Sequence, residues 1–243
     1  MLVFLDAALD GPTNMARDEH LLLAEDVAPG AIRVYAWDPP TLSLGYFQRS
    51  EEIAKLPPEV RGLAVVRRLT GGGAILHDRE ITYSIVLDDS VPIARKSPAD
   101  LYRLAHECWR DAIAVDGRHI DLAPDEFPLP SPRTGPFFCF EKPGRTDLIM
   151  ENEKLLGSAQ RRIPGRVMQH GSLILAKRFA AHPGTHLGDP PPETVRRWRK
   201  SFVESFAAAV GIPVQQGSWT PVRLADVEQR RARYLDGAFV NRR

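Results

Sequence analysis

Hydrophobic and polar positions along the chain switch between a strand-like and a helix-like period, and the switches divide it into elements. Met1 to Asp6 is short and apolar, which predicts a first strand; it has neither the basic start nor the long apolar stretch of a secretion signal. From Asn14 to Glu25 the pattern predicts a helix capped by Thr13 or Asn14, with Met15, Leu22 and Leu23 facing the core. Ala31 to Trp37 and Thr41 to Tyr46 read as strands around the turn signal Asp38-Pro39-Pro40. Short strands are expected at Ala64 to Arg68, Ala74 to Leu76 and Ile81 to Leu87, the last rich in β-branched and aromatic residues. Pro98 to Val115 predicts a helix whose buried face holds Leu101, Leu104, Ala105, Cys108 and Ala112. The proline-rich stretch Asp125 to Pro136 predicts a loop, and strands are expected to dominate from Phe137 to Leu175. Helices return at Pro192 to Gly211, with Trp198, Phe202 and Phe206 on the buried side, and at Leu224 to Tyr234. Many short strands with interspersed helices predict an α+β domain, a mixed β-sheet with flanking helices.

Composition narrows this picture. A chain of 243 residues with 43% hydrophobic and 26% charged residues suits one domain, residues 1–243, with the helical segment 190–243 packing on it. The net charge of +1 gives no global argument for nucleic acid or for an anionic membrane. Arginines cluster at Arg67-Arg68, Arg161-Arg162, Arg196 to Lys200 and Arg230 to Arg233; each cluster taken alone reads as solvated surface. Two cysteines are too few for a disulfide scaffold, so a reducing cytoplasm is the expected compartment. No apolar run is long enough to span a bilayer. His20, His106, His119, His182 and His186 show no metal-ligand spacing; Pro183 and Gly184 interrupt the last pair, so no metal is expected.

Candidate chemistry concentrates in Arg67-Arg68-Leu69-Thr70-Gly71-Gly72-Gly73-Ala74-Ile75-Leu76-His77-Asp78. Three adjacent glycines allow positive φ and a close approach of ligand to backbone. The loop is not a P-loop, because no Gly-Lys-Ser/Thr follows. It is not a dinucleotide fingerprint, because the spacing differs and a strand follows. Taken alone, the glycines read more readily as a tight hairpin than as a ligand loop.

The flanks carry more. Arg-Arg-x-Thr-Gly-Gly-Gly-Ala-x-x-His-Asp resembles the signature of the lipoate–protein ligase and octanoyltransferase superfamily. So do, in order, Asn14-Met15-Ala16-x-Asp18-Glu19, Pro39 to Gln48, Thr82-Tyr83-Ser84, Lys154-Leu155-Leu156-Gly157-Ser158-Ala159-Gln160-Arg161 and Gln169-His170-Gly171-Ser172. The resemblance covers roughly residues 10 to 180. It implies a catalytic domain of the biotin/lipoate–protein ligase-like (class II synthetase-like) fold.

Within this superfamily, ligases activate free lipoate with ATP, whereas transferases take octanoyl from an acyl carrier protein through a cysteine thioester. Cys108 lies on the apolar face of a predicted helix and reads as a structural thiol. Cys139, in Phe137-Phe138-Cys139-Phe140, has aromatic neighbours that by themselves suggest burial. The resemblance implies instead that Cys139 is the nucleophile and that Lys154 stands against the acyl carbonyl. It implies further that Arg68, Gly71, Gly72, Gly73, His77, Gly157, Ser158, Ala159, His170 and Gly171 form the substrate site. There Arg68 would meet the carrier's phosphopantetheine or, in a ligase, a nucleotide phosphate. His77 would line the acyl pocket, and His170 would orient strand and loop. The implied partners are octanoyl acyl carrier protein and a lipoyl-domain protein, either glycine cleavage H protein or a 2-oxoacid dehydrogenase E2. A transferase needs no cofactor; the ligase alternative needs ATP and magnesium. Gly144-Arg145-Thr146-Asp147 resembles the ligases' Gly-Arg-Asn-Asp segment rather than the transferase pattern, so both reactions stay open at the level of sequence.

Overall fold

Arg33 and Asp6 sit on a strand face that the apolar pattern alone would have filled with aliphatics, and with Asn14 and Asp18 of the first helix they form a polar layer that positions the site. The computed structural model describes residues 1–114, 119–127 and 135–242. Its main sheet is built from β1 (Leu2–Leu9), β2 (Gly30–Trp37), β6 (Glu80–Asp88), β7 (Asp121–Leu122), β8 (Leu148–Met150), β9 (Glu153–Ile163), β10 (Arg166–Ile174) and β11 (Gln215–Gln216), in the order β11-β1-β2-β6-β10-β9-β8-β7. β1 pairs in parallel with β2 and β11, and the other pairings are antiparallel, so the sheet is mixed. A smaller sheet combines β3 (Thr41–Leu44), β4 (Ala64–Arg67) and β5 (Ile75–His77) in the order β4-β3-β5.

Side-chain alternation sends the two faces of each central strand to different layers. Ile32 and Val34 of β2, with Ile81, Tyr83, Ile85 and Leu87 of β6, pack under α3 (Pro98–Ile113) and α4 (Pro192–Ala209). Trp109 of α3 and Phe202 of α4 stack there at 4.1 Å. The opposite faces, with Ala31, Arg33 and Tyr35, lie under α1 (Gly11–Leu23), which α5 (Pro221–Leu235) covers. Two short helices, α2 (Pro58–Arg61) and α6 (Gly237–Val240), complete the described fold. Arg33 is fully buried, and its charge is neutralised by Asp6 at 2.7 Å and Asp18 at 2.8 Å. Removing either acid would leave an uncompensated charge in the core, so this cluster holds α1 on the sheet.

Several boundaries differ from the pattern-based expectation. The first helix begins at Gly11, not Asn14, because Asp10 is the N-cap and accepts a hydrogen bond from Thr13 N, with proline in the first turn. Leu23 is 42% exposed and not core. β3 stops at Leu44, short of Tyr46, where the chain turns at Gly45 against Gly72. Phe137 to Asp147 is not a strand apart from one bridge, Phe138 to Ala74, because this segment packs on the glycine loop rather than on the sheet. The predicted proline-rich loop lies partly outside the described residues, as does the predicted helix end at Val115.

Candidate active site

The glycine loop is shaped by an arginine beneath it. Arg68, 1% exposed, donates from Nη2 to the carbonyls of Gly71 (2.9 Å) and Gly73 (2.6 Å). Nη1 donates to Ser43 O and Oγ, and Nε donates to Thr70 Oγ1. All five donors are therefore committed to the protein. Burial pushes the Arg68 guanidinium down to about 10, which still leaves it charged at neutral pH. Gly72 adopts φ +90, a conformation that favours glycine. At Gly73 a Cβ would stand 2.8 Å from Cys139 N, so only glycine lets the cysteine segment approach this closely. Two backbone hydrogen bonds then fasten that segment: Ala74 N to Phe137 O (2.7 Å) and Cys139 N to Ala74 O (2.8 Å). Gln48 Nε2 adds a third at Phe137 O (2.8 Å).

So placed, Cys139 meets Lys154 from β9. Lys154 Nζ donates to Cys139 Sγ at 3.4 Å and to Asp147 Oδ2 at 2.8 Å. The lysine is 2% exposed. Burial alone would lower its proton affinity, but Asp147 and then Cys139 outweigh that and hold it above the ordinary lysine value. It is a fixed ammonium at neutral pH, and its third proton is free for an oxygen placed in the pocket. Gly157 makes this geometry possible, because a Cβ there would overlap Lys154 Cε and Nζ.

A pocket with about 480 Å³ of space, part of it open to solvent, runs from Cys139, Gly157 and Ser158 to Met15, Tyr35 and Trp37. Its lining surface is largely apolar. It crosses the sheet from β9 over β10 and β6 to β2, a span of roughly 14 Å at about 4.8 Å per strand. The far end is closed by Trp37, which stacks on His77 at 3.8 Å and donates from Nε1 to Thr82 Oγ1 at 2.7 Å. His77 is buried between Ser43 Oγ (2.7 Å) and Glu80 Oε1 (2.8 Å), and burial holds its pKa below the ordinary value.

A buried hydrogen-bonded chain underlies the lysine. Gln169 Nε2 donates to Tyr83 OH (2.9 Å), Tyr83 OH meets Ser158 Oγ (2.6 Å), Ser158 Oγ meets His106 Nε2 (2.6 Å), and His106 Nδ1 meets Thr146 O. A neutral His106 satisfies the whole chain, with its proton on Nδ1 donated to Thr146 O and Nε2 accepting from Ser158 Oγ. Burial pushes His106 down to about 4, which agrees. Thr146 has φ 71 and precedes Asp147, so His106 props the turn that aims Asp147 at Lys154. A pH signature follows. Between about pH 4 and the ordinary histidine value near 6.5, the unfolded chain binds a proton at His106 and the native protein does not, so stability falls as pH falls. From pH 7 to pH 5 this contributes a loss of about 2 kcal/mol. His106→Gln is expected to lose less over that interval than the unaltered protein in parallel urea titrations; equal losses would refute a buried neutral His106.

The residues singled out in the sequence fall into three groups. Cys139, Gly72, His77, Gly157, Ser158, Ala159, His170, Gly171 and Arg68 line the pocket, and Lys154 contacts Cys139. His170 also ties Thr70 Oγ1 (2.6 Å) to Asp18 (3.3 Å), so it joins loop to helix. Gly71 and Gly73 act at the rear of the loop, through Arg68 and the cysteine segment. Cys108 lies apart, in the α3–α4 core, where burial raises its pKa. Asp147, His106, Tyr83 and Trp37 were not singled out as site residues. The available signal for Asp147 was its place in Gly144 to Asp147; for His106 it was a lone histidine beside a buried helical stripe. Among the described residues no group of three or more His, Cys, Asp or Glu is arranged to hold a metal, and no helix is long and apolar enough to cross a membrane.

The family model for the lipoyl protein ligase A/B catalytic domain matches residues 10–209. Octanoyltransferase LipM of Kyrpidia tusciae is 35% identical, the alignment covering 91% of each chain. Octanoyltransferase LipM of Moorella thermoacetica is 43% identical over 70% of this chain, which spans 64% of that protein. Among solved structures, Ta0514 of T. acidophilum, a putative lipoate protein ligase with bound lipoic acid, superposes with a TM-score of 0.76 over 100% of this chain and 98% of that one, at 17% identity.

Proposed function

We infer the reaction from one premise: the chain belongs to the lipoyl protein ligase A/B catalytic-domain family. The protein is an octanoyltransferase. It moves octanoyl from the thioester of an acyl carrier protein to the lysine of a lipoyl-domain protein, without ATP or another cofactor. The carrying observation is the contact of Lys154 Nζ with Cys139 Sγ, 3.4 Å at the mouth of an apolar pocket.

The sulfur of Cys139, as thiolate, attacks the thioester carbonyl carbon. Negative charge builds on the carbonyl oxygen, where the free proton of Lys154 can meet it. The carbon–sulfur bond to the carrier breaks, and the carrier leaves with the proton that Cys139 gave up. The acceptor lysine, as free amine, then attacks the acyl-enzyme, Cys139 departs as thiolate, and the proton the amine loses as the amide forms restores the Cys139 thiol. A thioester becomes an amide, so no nucleotide is needed to drive transfer. Lys154 is held charged by Asp147 and is unsuited to be the base; it is an electrostatic partner for sulfur and oxyanion.

Pocket length supports a medium chain. Octanoyl, extended at about 1.2 Å per bond, is roughly 8 Å long, which fits a span of roughly 14 Å once the side chains at both ends are allowed for.

The test is intact-mass measurement after mixing with octanoyl carrier protein, with ATP and acceptor omitted. One octanoyl added, removed by hydroxylamine and mapped to the peptide holding Cys139 rather than Cys108, is the expected result. An unchanged mass with the donor intact overturns it and points to ATP-dependent ligation of free lipoate, for which pyrophosphate release is the assay.

A further inference from the structure

With every donor of Arg68 committed to Ser43, Thr70, Gly71 and Gly73, that arginine has nothing left for an anion on an incoming donor. The next cation along β9 after Lys154 is Arg161. On β9 the residues on the pocket side are Gly157 and Ala159, and Arg161 follows on the same face. Its guanidinium lies 5.6 Å from the ring of Tyr46. Tyr46 belongs to the turn whose Gly45 packs on Gly72, so Arg161 and Tyr46 face each other across the gap between β9 and the glycine loop. Among the described residues no carboxylate pairs with Arg161; neighbouring Arg162, by contrast, donates to Gln160 and to Ala94 O. Arg242 covers the other side of Tyr46 at 3.4 Å and donates from Nη2 to Tyr46 O at 3.0 Å, which fixes its charge beside the ring. The Tyr46 hydroxyl is held below the ordinary tyrosine value, first by Arg242 and then by Arg161 and Arg233. Positive potential is therefore concentrated at this rim, where Arg161 has no carboxylate partner among the described residues.

We propose that Arg161, with Arg242 beside it, binds the phosphate of the prosthetic arm that carries the acyl thioester. This rests on the transferase reading above and names the contact that reading lacks. Four residues separate Gly157, beside the reacting pair, from Arg161, roughly 13 Å along the strand. A phosphopantetheine arm has about thirteen bonds between its sulfur and its phosphorus, roughly 15 Å when extended. With the thioester at Cys139, the phosphate of such an arm reaches the level of Arg161, and a guanidinium fork is suited to two of its oxygens. The arm then lies along β9 while the acyl chain crosses the sheet toward Trp37.

The experiment is steady-state transfer from three octanoyl donors: the carrier protein, soluble phosphopantetheine, and pantetheine without phosphate. For Arg161→Gln the expected result is a KM raised roughly tenfold or more with the first two donors. The third donor is unaffected, kcat is unchanged throughout, and Arg161→Lys recovers part of the loss. Lys200→Gln, an exposed charge change on α4 across the sheet, is the charge-matched control and leaves all three donors unchanged. A loss with the carrier protein alone overturns the assignment in favour of an acidic protein surface. Equal losses with all three donors, or none, also overturn it. An unaltered protein inactive toward every donor removes the transferase reading itself, and the assignment with it.

Discussion

Cys139→Ala is expected to lower octanoyl transfer by roughly 10⁴-fold or more, the scale seen when a covalent nucleophile is removed, while leaving the protein folded. The physical case has three parts. The sulfur is half-buried, within 3.4 Å of a lysine that Asp147 keeps charged, and it opens onto the acyl pocket. Its position comes from backbone contacts, Cys139 N to Ala74 O and Phe137 O with Ala74 N, which alanine retains. What is lost is the covalent intermediate, so transfer would require the acceptor amine to attack the carrier thioester directly. Cys139→Ser keeps the shape but presents a hydroxyl of far lower acidity, and it is expected to be nearly as inactive. Cys108→Ala, in the α3–α4 core, is expected to retain catalysis at a modest stability cost of about 1 kcal/mol. Single-turnover rates with thermal melts for the three variants provide the check. Substantial ATP-independent transfer by Cys139→Ala would show that the thioester route is wrong.

Gly157→Ala is expected to cost roughly 10²- to 10³-fold in kcat, comparable to the loss of an oxyanion donor, although it adds a single methyl group. The methyl would occupy the volume of Lys154 Cε and Nζ. Lys154 cannot yield without breaking its contacts with Asp147 and Cys139, because its far end is held between them. Displacing the ammonium would also leave Asp147, 4% exposed, without its cation. Activity and melting temperature should therefore fall together, whereas Lys154→Met should lose activity with a smaller overlap strain. A Gly157→Ala protein with unaltered kcat would mean that Lys154 does not act where the geometry puts it. Crystals of the variant would show whether Nζ has left Sγ.

The residues by themselves determined the mixed-sheet class and the elements of strong period, whereas Cys139, His77 and the Lys154-to-Ala159 run were marked as site residues only by their resemblance to the superfamily motifs; taken alone, Cys139 reads as a buried thiol and Lys154 as a turn lysine. The elements were legible because burial on a strand or helix face imposes a period. Element ends were less legible. The first helix starts at Gly11 because the Asp10 carboxylate, as N-cap, accepts from Thr13 N, and the strand expected to reach Tyr46 ends early because Gly45 meets Gly72, a residue far along the chain. The roles of the polar residues were decided only by the tertiary structure. Arg68 could have faced a phosphate, yet five donors close on Ser43, Thr70 and the glycine loop. His106 is undistinguished in its helix, yet it meets Ser158 of β9 and props the turn before Asp147. A buried donor or charge must find a partner, and that partner is chosen by which strands lie adjacent in space. Spacing along the chain carries the period of an element, while the pairing of polar groups is settled by the sheet order β2-β6-β10-β9, which brings Tyr83 and Ser158 together beneath His106 on one face and Tyr35 and His170 together at Asp18 on the other.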